Sequence, residues 1–271
     1  MVSDDALYTE LAAMLRAAGI ENAAQEAQWI LEDLPEEEAA RACASKRCEH
    51  YPLQYLLGAW EFYGMRLFVG KGVLIPRADT EALVDAVLCR CDAEKPLQIA
   101  DLCAGSGCIA LALKQQLPKA AVCGVEWSDT ARQYALKNAA YHGLEVPFHH
   151  ADVLDPMTAA QFSKLDVIVS NPPYLTAEDM VQLQTEVAYE PAMALAGGAD
   201  GLRFYQEITA LWKDSLRCGG LLAYEVGIRQ AEAVGEILKA HGFVEIEILP
   251  DLCGIDRVVL GRKTLHKETT D

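Results

Sequence analysis

The 271-residue chain has no run of eighteen apolar residues, no cluster of basic residues, no C-x-x-C pair and no internal repeat or low-complexity stretch. Without the apolar run a membrane span is not expected. The acidic, polar start MVSDDALYTE does not read as a secretory leader, so a cytoplasmic protein is expected. Basic residues are scarce: 23 Lys and Arg stand against 40 Asp and Glu, a formal charge of −17, and the densest basic pair is Lys46-Arg47. Such a chain repels a phosphate backbone, which disfavours nucleic acid as a direct partner. The nine cysteines are odd in number and scattered from 43 to 253. They read as free thiols in a reducing compartment rather than as a zinc site or a disulfide framework.

An apolar content of 52% permits a sizeable core, and the length suits one large domain or two ordinary ones. Residues 1 to 58 read as helical. Ser3 is placed to cap a first helix over Leu7, Leu11, Met14 and Leu15, with Gly19 beyond its end. A second carries Ala24, Ala27, Trp29, Ile30 and Leu31 up to Pro35, and a third starts at PEEEAARA. Eleven acids against four bases give this segment a net charge of −7. The stretch WEFYGMRLFVGKGVLIP then alternates and carries three glycines, the signals of a short hairpin. Thr80 is placed to cap the next helix, over Leu83, Val84, Val87 and Leu88.

From residue 97 strands and helices alternate. The strands are LQIADLC, AVCGVEW, VPFHHAD, LDVIVSN, GLLAYEVG, FVEIEIL and IDRVVLGR, with helices beginning near Gly107, Ser128, Asp200 and Arg229. This pattern predicts an α/β fold, a doubly wound and mostly parallel seven-stranded sheet with helices on both faces. The divisions expected are a helical domain at 1–58, a hairpin linker at 59–78 and a ligand-binding domain at 79–271.

The first of these strands ends in DLCAGSGCIA. Gly105, Gly107 and Ala110 fit G-x-G-x-x-A, and Glu126 closes the second strand nineteen residues beyond Gly107. A strand-end acid at this spacing can accept both hydroxyls of a ribose. NAD and S-adenosylmethionine both carry one, so Glu126 does not separate them. Asp101 does. Its carboxylate at the base of the loop would oppose a pyrophosphate, a like-charge cost of several kcal/mol at an effective ε of ~20. It would favour a sulfonium and an ammonium. Asp152 is placed either for the adenine edge or as a helix cap, and Trp127 either stacks on the adenine or covers surface.

The run LDVIVS stops at Asn171, Pro172, Pro173 and Tyr174. Two prolines fix φ and remove two backbone donors, while Asn171 adds an amide and Tyr174 a flat ring. The tetrapeptide is a stiff polar notch beside an aromatic wall, at the sheet edge where ligands collect. A planar amino group held by the Asn171 and Pro172 carbonyls would face a methyl donor. Amide nitrogens are poor nucleophiles, so two acceptors on their N–H bonds and in-line placement are what direct displacement needs. No general base is visible in the sequence.

These stretches together resemble a known family. PLQYLLG (52–58), VLIPRADTEALV (73–84), DLCAGSG (101–107), SNPPY (170–174), EPAMAL (190–195) and DRVVLG (256–261) match, in order, the release factor glutamine methyltransferases (the HemK/PrmC family). These are class I S-adenosylmethionine-dependent methyltransferases with a Rossmann-like sheet. The resemblance implies methylation of the side-chain amide nitrogen of the glutamine in the Gly-Gly-Gln motif of class I peptide chain release factors. It implies that Cys103, Ala104, Gly105, Ser106, Gly107, Glu126 and Val153 line the cofactor pocket. It also implies that Asn171, Pro172, Pro173 and Tyr174 hold the glutamine, with Asn171, Pro172 and Tyr174 at the reaction centre. Two departures stand out: Cys103 where Gly is usual, and Ala104 where Thr is usual. Cys103 is expected to serve if its backbone avoids positive φ. Val153 replaces a residue that is often aromatic.

Three further readings accompany these. Arg77 and Glu81 form either a lid over the cofactor or an ion pair with each other. His149 and His150 lack the neighbours of a metal site. The rival activities are an amino methyltransferase for adenine or guanine in nucleic acid, which a basic arm would favour, and a methyltransferase fold that binds without turnover. The chain is expected to act on a protein substrate as a monomer, away from membranes.

Overall fold

The computed structural model describes residues 4–264, so the expected cap at Ser3 lies outside the described residues. Four helices come first: α1 (Asp4–Ala17), α2 (Ala23–Asp33), α3 (Glu37–Arg47) and α4 (Leu53–Leu57). Leu7, Leu11 and Leu15 recur every fourth position and are buried with Ile20, Ala27, Ile30, Ala40 and Ala44 in a separate small core. Ala24 is exposed and Ala23 takes its place in that core, because the buried stripe of α2 runs 23, 27, 30. α2 ends two residues before Pro35.

A hairpin follows, β1 (Ala59–Phe62) with β2 (Met65–Phe68), turning at Tyr63 and Gly64, both at positive φ. Phe62, Met65 and Leu67 of this hairpin are buried in the main core. Next is α5 (Glu81–Leu88), and Thr80 precedes it without capping it; its hydroxyl is turned elsewhere.

The main sheet contains β3 (Gln98–Leu102), β4 (Ala121–Glu126), β5 (Phe148–His150), β6 (Leu165–Ser170), β7 (Leu216–Glu225), β8 (Phe243–Pro250) and β9 (Asp256–Lys263). Their order is β5-β4-β3-β6-β7-β9-β8, and only β9 runs against its neighbours. Long helices α6 (Cys108–Gln116), α7 (Asp129–His142), α9 (Arg203–Trp212) and α10 (Ala231–Ala240) fill the crossovers, as the alternation predicts. One further helix, α8 (Pro156–Ala159), is a single turn capped by Asp155, too short to leave a periodic signal. Leu83, Val84 and Val87 of α5 and Ile109 and Leu113 of α6 pack on one face of the sheet. Tyr205, Ile208 and Trp212 of α9 and Val234 and Leu238 of α10 pack on the other.

The chain enters this sheet at its middle. β4 and β5 build outward on one side of β3, and β6 and β7 on the other. The crossover direction reverses between β3 and β6, so loops leaving these two strands splay apart and open a crevice. Leu102 and Ser170 are direct partners there, and the Ser170 hydroxyl donates to the Leu102 carbonyl at 2.6 Å. The glycine loop and the Asn-Pro-Pro-Tyr notch therefore start side by side.

Candidate active site

The glycine loop turns through three left-handed residues: Cys103 (φ +61°), Gly105 (+55°) and Gly107 (+81°). Cys103 thus violates the condition set for it by sequence, because the strand must turn sharply here whatever residue stands at 103. A non-glycine residue in this region costs on the order of 1 kcal/mol. Gly107 is required on a second ground: a Cβ there would lie 2.7 Å from Cζ of Phe148. A Cβ on Gly105, by contrast, meets nothing within 4 Å.

Above that open side lies a cavity of about 350 Å³ lined by Cys103, Gly105, Glu126, Trp127, Asp152, Val153, Asn171 and Pro173, among others. Glu126 joins loop to strand. Its Oε2 accepts from Gly105 N at 2.8 Å and its Oε1 from Ser128 N at 2.7 Å. Burial pushes its carboxyl upward, opposed by those backbone donors. Trp127 is exposed, with its ring near His150, and Val153 is buried. Asp152 does not cap a helix; Oδ1 accepts from Leu154 N at 2.9 Å in a tight turn.

Asp101, Ala104, Ser106 and Gly107 lie beneath this cavity rather than on its wall. Asp101 is fully buried: Oδ2 accepts from Ala110 N at 3.0 Å, and Oδ1 has no partner among the described residues. Burial, with the Glu126 carboxyl nearby, pushes its pKa up to about 8.

A second cavity of about 380 Å³ adjoins the first and is lined by Leu74, Arg77, Asn171, Tyr174, Gln182, Gln184 and Val187, among others. Asn171 stands on the wall of both cavities. Pro173 faces the first and Tyr174 the second, while Pro172 is buried behind them. The backbone at Tyr174 is clamped. A Cβ on Gly197 would lie 2.6 Å from Tyr174 Cα, and Gln230 Nε2 donates to the Tyr174 carbonyl at 2.9 Å.

Neither sequence reading of Arg77 and Glu81 holds. Arg77 forms an ion pair with buried Glu190, whose other oxygen accepts from Ile75 N at 3.0 Å. Glu81 instead accepts from Tyr63 N at 2.7 Å. His150 is bonded to the Trp127 carbonyl and His149 packs edge-on against Phe162, and neither lines either cavity.

The sequence reading missed Glu225. It ends β7 behind Tyr174, is 1% exposed, and is pushed by burial up to about 7. The signal that picks out Glu126, an acid closing an apolar strand, is present in LLAYE as well.

The family model for the methyltransferase small domain matches residues 79–198. The release factor glutamine methyltransferase of Geobacter sulfurreducens is 42% identical over 92% of this chain and 92% of its own length. That of Thermodesulfovibrio yellowstonii is 40% identical over 83% of this chain and 81% of its own. Among solved structures, the T. thermophilus 16S rRNA N2 G1207 methyltransferase in complex with AdoMet and guanosine is similar in fold. It has a TM-score of 0.52 and 19% identity over 76% of this chain and 49% of its own.

Proposed function

Because the chain belongs to the release factor glutamine methyltransferase family, we propose that it methylates the N5 amide nitrogen of the glutamine in the Gly-Gly-Gln motif of class I release factors, with S-adenosylmethionine as donor. The observation that carries this reading is Asn171, which stands where the two cavities meet.

The first cavity fits the donor. Gly105 leaves open space over the loop, Glu126 offers a carboxylate on the cavity wall, and Asp101 has an unpaired oxygen below. When bound, S-adenosylmethionine supplies an electrophilic methyl on a sulfonium sulfur. Glu126 would accept from the ribose hydroxyls, with Trp127, Asp152 and Val153 on the adenine side and residues 103–107 beneath the methionine part.

The second cavity takes the glutamine side chain. Asn171 Oδ1 and the Pro172 carbonyl accept its two amide protons, which keeps electron density on the nitrogen and fixes its direction. Tyr174 supplies a flat wall for the amide plane. Residues 1–58 recognise the protein substrate, 59–78 link, and 79–271 carry the chemistry. Both cavities are complete within one chain, which supports action as a monomer, and the charge of −17 supports a protein rather than a nucleic-acid substrate. Release factors work with ribosomes, which supports a cytoplasmic reaction.

The test is the intact mass of a class I release factor incubated with enzyme and S-adenosylmethionine. A gain of one methyl on the Gly-Gly-Gln peptide is expected. No gain there, with methyl transferred to adenine or guanine in RNA or DNA, would replace this reading with its nucleic-acid rival.

A further inference from the structure

We propose that Arg77 is the donor that holds the side-chain carbonyl of the acceptor glutamine. The proposal rests on the proposed function and deepens it, because that reading leaves one polar atom of the substrate unserved. A primary amide carries two N–H bonds and a carbonyl oxygen. Asn171 Oδ1 and the Pro172 carbonyl take the N–H bonds, which leaves the oxygen. Enclosed without a donor it would weaken binding, since a buried acceptor loses its hydration and gains no partner.

Most polar groups on the wall of the second cavity cannot serve it. The Asp179 carboxylate only accepts, and its Oδ2 already takes Thr176 N and Oγ1 at 3.0 and 2.7 Å. Asn171 Nδ2 donates to Thr80 Oγ1 at 3.3 Å, and Tyr174 Oη is turned to Glu225 Oε1 at 3.5 Å. Gln182 and Gln184 are exposed, so water competes for them and their long side chains would have to be ordered on binding. Arg77 is held in advance. Its Nη2 is paired with Glu190, which is buried and fixed through its other oxygen by Ile75 N at 3.0 Å. Glu190 lines a third cavity of about 250 Å³ but not the second, whereas Arg77 lines both. The guanidinium therefore stands between the two with one nitrogen on its anchor, and Nε and Nη1 have no partner among the described residues. A guanidinium is a rigid planar fork that keeps its proton, so anchoring one nitrogen aims the others.

The chemistry of the amide decides which kinetic constant responds. In the resting amide the nitrogen lone pair is shared with the carbonyl oxygen, which makes that oxygen a strong acceptor. As the nitrogen attacks the methyl, the lone pair is drawn into the new N–C bond and the oxygen becomes a weaker acceptor. A donor on the oxygen thus binds the glutamine at least as well before transfer as during it, and contributes to KM rather than to kcat. Glu190 fits this role of its partner. By pairing with the guanidinium it tempers a charge that would otherwise hold electron density on the oxygen and away from the nitrogen. Arg77 does not line the first cavity, so affinity for the methyl donor is not involved.

The experiment is a double-mutant cycle on binding, with the full chain, a whole class I release factor, and S-adenosylhomocysteine in place of the donor so that nothing turns over. Arg77→Met should weaken binding of the natural factor about tenfold to a hundredfold. It should leave a factor whose motif glutamine is replaced by alanine within about threefold, whereas a purely structural role would weaken both factors alike. In turnover, KM should rise by a similar factor while kcat and the Kd for S-adenosylhomocysteine stay within about threefold of wild type. Arg77→Met leaves Glu190 buried without its cation. If that variant does not fold, Arg77→Met combined with Glu190→Gln repeats the cycle, since the new amide oxygen can still accept from Ile75 N. Arg77→Lys keeps the ion pair but not the fork, and should lose most of the coupling. Equal loss with both factors, no loss with either, or a fall in kcat at unchanged KM would overturn the inference. A wild-type enzyme that leaves the factor unmethylated would sink the proposed function and the inference with it, while a methylating enzyme without the coupling sinks the inference alone.

Discussion

Arg47 in the last turn of α3 holds Glu186, 139 residues later, at 3.0 Å between Nη1 and Oε1. The same guanidinium grips Glu26 with Nε and Nη2, at 2.7 and 3.1 Å. His50 also reaches Glu186 at 3.0 Å, and Tyr51 packs edge-on against Tyr189 with ring centroids 4.9 Å apart. Burial raises the Glu186 carboxyl, but the bonds from His50 and Arg47 outweigh it and hold the group low. The N-terminal helices thus clamp the segment carrying Gln182, Gln184 and Val187 of the second cavity.

Releasing that clamp should loosen the acceptor side alone. Glu186→Gln keeps the shape but weakens two charge-assisted contacts, each worth about 1–3 kcal/mol. KM for release factor should rise about threefold to tenfold while donor affinity holds. Limited proteolysis between 175 and 190 should speed up. Unchanged KM and unchanged cleavage would mean that the segment is held by other contacts.

Donor and acceptor roles should separate by mutation. Glu126→Ala removes the strand-end carboxylate and leaves Gly105 N and Ser128 N without their acceptor, so donor affinity should fall by about 1–3 kcal/mol. Asn171→Ala should lower kcat by about 10²–10³ with a much smaller effect on donor affinity. Calorimetry with S-adenosylhomocysteine and single-turnover transfer measure the two. An Asn171→Ala enzyme keeping more than about a tenth of wild-type turnover would remove the notch from the reaction centre.

The parts of this site legible in sequence are those built from neighbours in the chain. The G-x-G turn, the strand-end Glu126 and the proline pair each carry their geometry within a few residues. So did the strand and helix alternation, which predicts a mostly parallel sheet though not the order of its strands. What escaped depends on distant partners. Arg77 finds Glu190 rather than Glu81, and Thr80 accepts from Asn171 instead of capping α5. Glu225 looks like any strand-end acid until burial shows it enclosed. Cys103 shows the opposite failure: the residue type argued against positive φ, and the loop imposed it.

Stability should fall as pH rises through the neutral range. The folded pKa of Asp101 is about 8, above an ordinary unfolded value of about 3.9. Its contribution is therefore fully present below about pH 4 and is lost progressively as pH climbs toward 8. Glu225 adds the same trend up to about 7. Each such group contributes a slope of about 1.4 kcal/mol per pH unit within its window. Asp101→Asn should flatten the decline in urea-unfolding free energy between pH 5 and 8, and a variant as steep as wild type would show that Asp101 is ionised in the folded protein.

The helical segment should recognise its substrate by charge as well as by the clamp. Its net charge of −7 suits a partner with basic residues for ribosomal RNA, as a release factor should have. Glu36 and Glu38 are exposed at the start of α3, away from the Arg47 cluster at its other end. Reversing both to Lys should raise KM for whole release factor about threefold or more at low salt, and less at high salt, since screening cuts in at about 8–10 Å. Deleting residues 1–58 should raise KM much further while donor binding stays measurable, because deletion removes the charges and also Arg47, His50 and Tyr51 from the loop. A short Gly-Gly-Gln peptide cannot reach the helices, so it should be a poor substrate for every form and indifferent to Glu36 and Glu38. The clamp and the charges then separate by salt: the Glu186→Gln effect persists at high salt because Arg47 is buried, and the Glu36/Glu38 effect does not. Equal KM for whole factor with and without the helices would show that they do not recognise it.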